Sequence, residues 1–187
     1  MSNSPRIQPL AEADFSDEAR ELLALPLKGI DLPEVSGFLA TIVRHPGLYR
    51  RYAPFAGKLL VAGKLPARDR ELAILRNAWL CKAGFEWGEH VEIAHKAGLS
   101  SAEIDGVTRG SGEAHWNPHE RAVIKAVEEL HAHGTISDAT WHMLAQRYDD
   151  LQLIELPMLI GAYQMIAYVQ NSLQVKLREG NAGLQAR

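Results

Sequence analysis

Apolar residues return along the chain at intervals of three and four, and no stretch alternates β-branched with polar residues between turn pairs. A period near 3.6 without a period of 2 predicts an all-α protein. Helix punctuation divides it into about eight helices with short joins. Ser16-Asp17-Glu18 caps a helix to about Leu25, Pro26 to Pro33 is a loop, and Glu34 to Val43 is a helix broken by His45-Pro46-Gly47. Leu48 to Ala62 follows, with a kink expected at Pro54 and an end at Gly63. Pro66 opens a helix to about Lys82, and Glu86 to Ala97 forms the next, stopped by Gly98. A short helix starts at Ser100, Gly110 to Asn117 is a loop, Pro118 to His133 is helical, and Ser137 caps a helix to Tyr148. The last and longest apolar stretch, Leu151 to Val175, carries Pro157 and a polar residue every few positions. That interruption excludes a membrane span and fits a buried or subunit-facing helix. The first eight residues and Glu179 to Arg187 read as frayed ends.

Composition narrows the function classes. The chain has 187 residues, enough for one domain over 1–187 with a real core. Its net charge of −3 supplies no basic footprint for phosphates, so nucleic acid is not an expected partner. One cysteine, Cys81, excludes an intramolecular disulfide and a CxxC pair. The N-terminal residues carry neither a basic nor an apolar signal region, which makes the cytoplasm the expected location.

Candidate chemistry concentrates in Arg68 to Gly98. At about 100° per residue, Glu86, Trp87, His90, Ile93, Ala94 and Ala97 share one arc of a helix. His90 therefore sits on an apolar face, with Glu86 one turn before it. The preceding helix is apolar nearly all round from Leu72 to Cys81, and Glu71 projects on its Ile74, Leu75 and Ala78 side. If the Lys82–Phe85 turn folds one helix on the other, Glu71, Glu86 and His90 meet in an apolar pocket. Desolvation raises a carboxyl pKa and a neighbouring carboxylate favours charged imidazole, so such a set suits proton transfer near neutral pH. The same phases also fit a helix-capping Glu71, a surface Glu86–His90 pair and a core histidine.

These residues resemble the carboxymuconolactone decarboxylase and alkylhydroperoxidase-core (AhpD-like) family. The resemblance lies in RELAIL at Arg70 to Leu75, EWGEH at Glu86 to His90 and AHKAGLSSAEI ending at Ile104, within a core of 48–107. Residues 1–35 form an N-terminal extension beyond the minimal family member. The family's peroxidase branch resembles CxxCxxxH, and its two cysteine positions fall on Ala83 and Glu86 here. The decarboxylase branch, with the His retained and no thiol pair, is the better resemblance.

The resemblance implies an AhpD-like helical bundle, a homo-oligomer (trimer or hexamer) and a small-molecule substrate. It implies a lyase or isomerase that needs no cofactor and no metal and acts on a small unsaturated carboxylated lactone or similar acid. His90 would donate the proton, Glu86 would orient and charge it, and Glu71 would be the second acid–base group. Trp87, His131 and Tyr163 are candidate substrate-binding residues; His131 shares a helix face with Ile124, Val127 and Glu128. His115 and His119 flank Trp116 and receive no role. Arg76 is a possible anion clamp by residue type, but its phase points away from Glu71. The alternatives are a peroxidase-related protein with peroxiredoxin activity and a non-catalytic small-ligand-binding protein of the same fold.

Overall fold

The computed structural model describes residues 4–24 and 35–187. Among them there are nine α-helices and no strand. The expected loop Pro26–Pro33 and the expected helix start at Glu34 lie outside the described residues. By its contacts the chain gathers into two compact units, Met1–Gly63 with Gln170–Glu179, and Lys64–Val169 with Gly180–Arg187. The boundary at Gly63–Lys64 runs through the 48–107 segment.

The first unit holds α1 (Asp17–Leu23), α2 (Gly37–Ile42) and α3 (Pro46–Val61). Ser16 and Ser36 start α1 and α2 by accepting from the backbone N–H three residues on. α3 begins at Pro46 rather than Leu48, because His45 Nδ1 accepts from Leu48 N and Pro46 takes the first helical turn. The helix continues through Pro54. Leu22, Leu23, Val43, Tyr49 and Ala53 form the buried core of this unit. The expected fraying of the first eight residues does not hold for the described ones: Arg6 N donates to Leu173 O at 2.9 Å and Arg44 Nε donates to Gln8 O at 2.9 Å.

The second unit is built around α4 (Ala67–Leu80), which packs against α5 (Gly84–Lys96), α6 (Ser101–Arg109) and α7 (Pro118–His133). α8 (Asp138–Ala145) lies on α7, and α9 (Asp150–Leu173) begins in this unit. Every residue from Glu71 to Ala78 is buried, which is what an apolar-all-round helix requires. The entrance to α4 is gripped from α9: Glu155 Oε1 accepts from Lys64 N at 2.7 Å and Leu65 N at 3.0 Å.

The turn out of α4 sets the register of the site. Lys82 takes the left-handed conformation at φ 53°, its N–H donates to Trp79 O, and Ala83 N donates to Ala78 O. This paired closure ends α4 at Leu80, two residues before the expected end, and starts α5 at Gly84. The chain reverses within three residues, so α5 runs back along α4.

The expectation of a frayed C-terminus is also corrected. A 3₁₀ turn at Gly183–Gln185 packs on α5. Trp87 Nε1 donates to Ala186 O at 3.0 Å, Asn181 Nδ2 donates to Glu89 Oε1 at 2.8 Å, and Arg187 Nε donates to Asp105 Oδ1 at 3.1 Å. Gly88 makes the space, since a Cβ there would stand 1.7 Å from Asn181 Oδ1. Gly88→Ala is therefore expected to expel Asn181 and release the tail. The check is hydrogen exchange at Gly183, whose N–H donates to Asn181 Oδ1. Exchange should quicken at least tenfold; unchanged exchange with an unchanged thermal midpoint would contradict this packing.

Candidate active site

α4 and α5 present their polar exceptions to each other across an apolar interface. Glu71 is 0% exposed, Glu86 2% and His90 7%. His90 Nδ1 lies 2.7 Å from Glu71 Oε2. The other carboxylate oxygen, Glu71 Oε1, accepts from Arg70 Nε at 2.9 Å. Both lone-pair ends of the buried carboxylate are thus matched to nitrogen donors, as burial of a charge demands. With Nδ1 committed to Glu71, His90 presents Nε2 as its remaining polar atom. The Tyr163 ring, from α9, meets the imidazole edge-on at a centroid distance of 5.1 Å.

Glu86 stands one turn from His90 on α5, and its environment differs. Neither carboxyl oxygen has a hydrogen-bond partner among the described residues. Burial pushes its pKa well above the ordinary carboxylate value, and the nearby Asn77 amide lowers it only in part. Burial therefore favours the neutral acid form of Glu86. Cys81, at the end of α4, donates to Gln164 Oε1 at 3.2 Å. Burial and then the Glu86 carboxyl push its thiol up to about 11, so little thiolate forms near neutrality.

The hydrogen-bond partner of His90 is Glu71 and not Glu86, because the α4–α5 register sets residue 71 opposite residue 90. Tyr163 lies beside the pair. Trp87 does not: it is fully buried against Trp79, and its N–H is tied to the C-terminal tail. His131 is exposed near the end of α7 and is not among the side chains gathered at the pair. Arg76 is spent on Glu128 and on the carbonyls of Val107 and Thr108. Among the described residues no three His, Cys, Asp or Glu side chains gather as a metal site requires, and no helix is long and apolar enough to cross a membrane.

Sequence reasoning missed a second buried cluster. Asp69 Oδ2 accepts from Tyr148 Oη at 2.8 Å and lies 3.0 Å from His119 Nε2. Burial pushes the Asp69 carboxyl up, but the hydrogen bonds from His119 and Tyr148 outweigh it and hold the carboxyl below its usual value. A signal for His119 existed: Asn117 and Glu120 form a capping box, which starts the helix early and puts His119 in phase with buried Val123 and Ala126. Arg70 was legible as a cation beside Glu71 but was not singled out.

Comparisons with known proteins bear on this geometry. Residues 46–129 match the carboxymuconolactone decarboxylase family. No curated protein matches the chain in sequence. A peroxidase-related protein of Silicibacter sp. TM1040 shares the fold with a TM-score of 0.80 at 12% identity, covering 98% of each chain. The debrominase Bmp8, also solved with 2,3,4-tribromopyrrole, gives 0.76 at 14% identity over 95% of each chain. A putative antioxidant defence protein AhpD of Agrobacterium tumefaciens gives 0.64 at 18% identity, over 72% of this chain and 93% of that one. At these identities the likeness establishes an AhpD-like all-helical fold.

The neutral state of Glu86 has a pH signature. The unfolded chain ionises this residue near pH 4.3, whereas the folded chain does so only at a higher pH. The stability from the neutral form is complete below that value and is lost as pH rises through the raised folded pKa. Glu86→Gln, a neutral isostere, is expected to raise the thermal midpoint at pH 7 by about 2–6 °C and to match the wild type near pH 4. A midpoint at pH 7 equal to or below that of the wild type would show that Glu86 is ionised in the fold.

Proposed function

We propose that the chain, whose residues 46–129 match the carboxymuconolactone decarboxylase family, is a cofactor-independent, homo-oligomeric lyase that decarboxylates a small unsaturated carboxylated lactone or similar acid. The observation that carries this reading is the buried Glu71–His90 pair at 2.7 Å with a neutral Glu86 one turn away. In the reaction the bond to the leaving carboxyl breaks, and its electron pair passes into the substrate's conjugated carbonyl. CO₂ departs, and a C–H bond forms with a proton from His90 Nε2. Glu71 holds Nδ1–H, fixes the ring and compensates the charge of the doubly protonated imidazole. Glu86 is the second acid, uncharged as desolvation requires, and Tyr163 walls the imidazole. A neighbour of the same fold that binds 2,3,4-tribromopyrrole supports a small unsaturated ring as ligand.

A peroxidase reading would draw on the neighbours described as peroxidase-related and antioxidant. The chemistry here disfavours it, since the chain holds one thiol and that thiol is pushed up to about 11. The test is a decarboxylation assay with γ-carboxymuconolactone. His90→Gln is expected to lower kcat by about 10²–10⁴ and Cys81→Ser to change it less than twofold. No turnover by the wild type, or turnover that survives His90→Gln, would overturn the lyase reading. Peroxide reduction abolished by Cys81→Ser would replace it.

The oligomer in this proposal is supported by α9. Leu151, Ile154, Met158, Met165 and Tyr168 are all exposed, and so is Gly161 between them. Their spacing of three, four, three, four and three is the seam of a coiled coil, which leaves an apolar stripe for an identical helix. Such a seam pairs protomers, and three pairs make a hexamer. Ile154→Lys combined with Met158→Lys is expected to reduce the solution mass by light scattering to that of smaller species. An unchanged mass would remove α9 from the interface.

A further inference from the structure

Arg70 holds a place in the site that its hydrogen bonds leave half used. Its guanidinium donates from Nε to Glu71 Oε1 at 2.9 Å, and this is its one hydrogen bond among the described residues. Both Nη groups, with four N–H donors between them, have no acceptor among the described residues. The side chain is 15% exposed, so the fork borders the interior without being sealed in it. Two other arginines of this unit behave differently. The Arg68 fork is filled by Glu103, Glu120 and the Gly98 carbonyl, and both Nη groups of Arg76 are taken by Glu128 and two carbonyls.

Glu71 joins this fork to the imidazole. One oxygen is on Arg70 and the other on His90, so Arg70 Nε and His90 Nδ1 are no more than about 8 Å apart. A small ring acid would rest its carboxylate on the free end of the fork and bring a ring carbon to His90 Nε2. A guanidinium fork is the donor set that matches a carboxylate bidentately.

We infer that Arg70 is the specificity-determining residue of the site and that it holds a substrate carboxylate which the reaction retains. The inference rests on the lyase reading. The reason for the retained group is electrostatic. A leaving carboxylate loses its negative charge as it becomes CO₂, so a cation on it would stabilise the substrate more than the transition state and slow the step. A cation on a second, unreacting carboxylate binds both states equally and serves recognition. Arg70 therefore selects acids that carry a carboxylate besides the one that departs.

Binding measured apart from turnover tests this. The probe is muconolactone, a lactone with one carboxylate, and its methyl ester is the uncharged control. Both are titrated by calorimetry and by the imidazole NMR signals of His90. The wild type is expected to bind the acid at least tenfold more tightly than the ester. Arg70→Gln should lose that preference. Arg70→Lys keeps a cation for Glu71 but not the fork, and should retain folding and only part of the preference. Equal binding of acid and ester by the wild type, no binding of the acid, or an undiminished preference in Arg70→Gln would each overturn the assignment. The two failures are separable. An acid preference that depends on Arg70 without any turnover of γ-carboxymuconolactone leaves the clamp standing and removes the lyase reading. Turnover with an unchanged KM in Arg70→Gln removes the clamp and leaves the lyase.

Discussion

A carboxylate with no exposed surface is the constraint around which the second unit is organised. Glu71 lies on the most buried helix of that unit, where an ion costs several kcal/mol to desolvate unless it is matched on all sides. Its two oxygens meet that demand in two directions. Arg70 supplies a donor from the same helix, and His90 supplies one from α5. The second donor is in place only if α5 returns along α4 in one register. The left-handed Lys82 and the paired closure behind it provide that register. A turn longer by one residue would rotate α5 by about 100° and take His90 off the carboxylate.

The same interface holds a second carboxyl in the opposite condition. Glu86 is as buried as Glu71, yet its oxygens find no hydrogen-bond partner among the described residues, so burial favours its neutral form. Two carboxyls on packed helices thus sit in different surroundings. Such separation is how acid–base assignments arise within one fold. Burial likewise pushes the Cys81 thiol up to about 11. Proton chemistry is therefore favoured at this interface and thiolate chemistry is not.

Helical phase made part of this legible. The apolar arc through Glu86 and His90, and the all-apolar run after Glu71, placed three polar side chains on facing helices before any geometry was known. Phase cannot say which carboxylate reaches the imidazole, because that depends on the turn, and turn closure by a left-handed lysine has no composition signal. The C-terminal tail was illegible for a related reason. Asn181, Gly183 and Ala186 are held by individual polar contacts to α5 and to the turn itself, without any periodic apolar pattern. His119 was overlooked although its capping box and phase both placed it inside. Trp87 and His131 lie away from the pair. Each sits on a suitable helix, but one is claimed by the tail and the other by solvent.

α4 carries two histidine–carboxylate pairs, and the difference between them explains why one reads as a site and the other as structure. Asp69 and Glu71 are two residues apart, so they leave the helix on nearly opposite sides. On the Asp69 side, His119 and Tyr148 share one oxygen, and the tyrosine ring packs edge-on against the imidazole at 4.6 Å. The remaining His119 nitrogen is buried without a partner. One nitrogen of this imidazole is taken up by Asp69 and the other is sealed in the interior. On the Glu71 side, the imidazole spends only Nδ1 on the carboxylate, and the carboxylate's other oxygen leads to a guanidinium with donors to spare. Buried acid–base pairs are common structural devices. What separates this one is an unspent nitrogen and an unspent cation on either side of the same carboxylate.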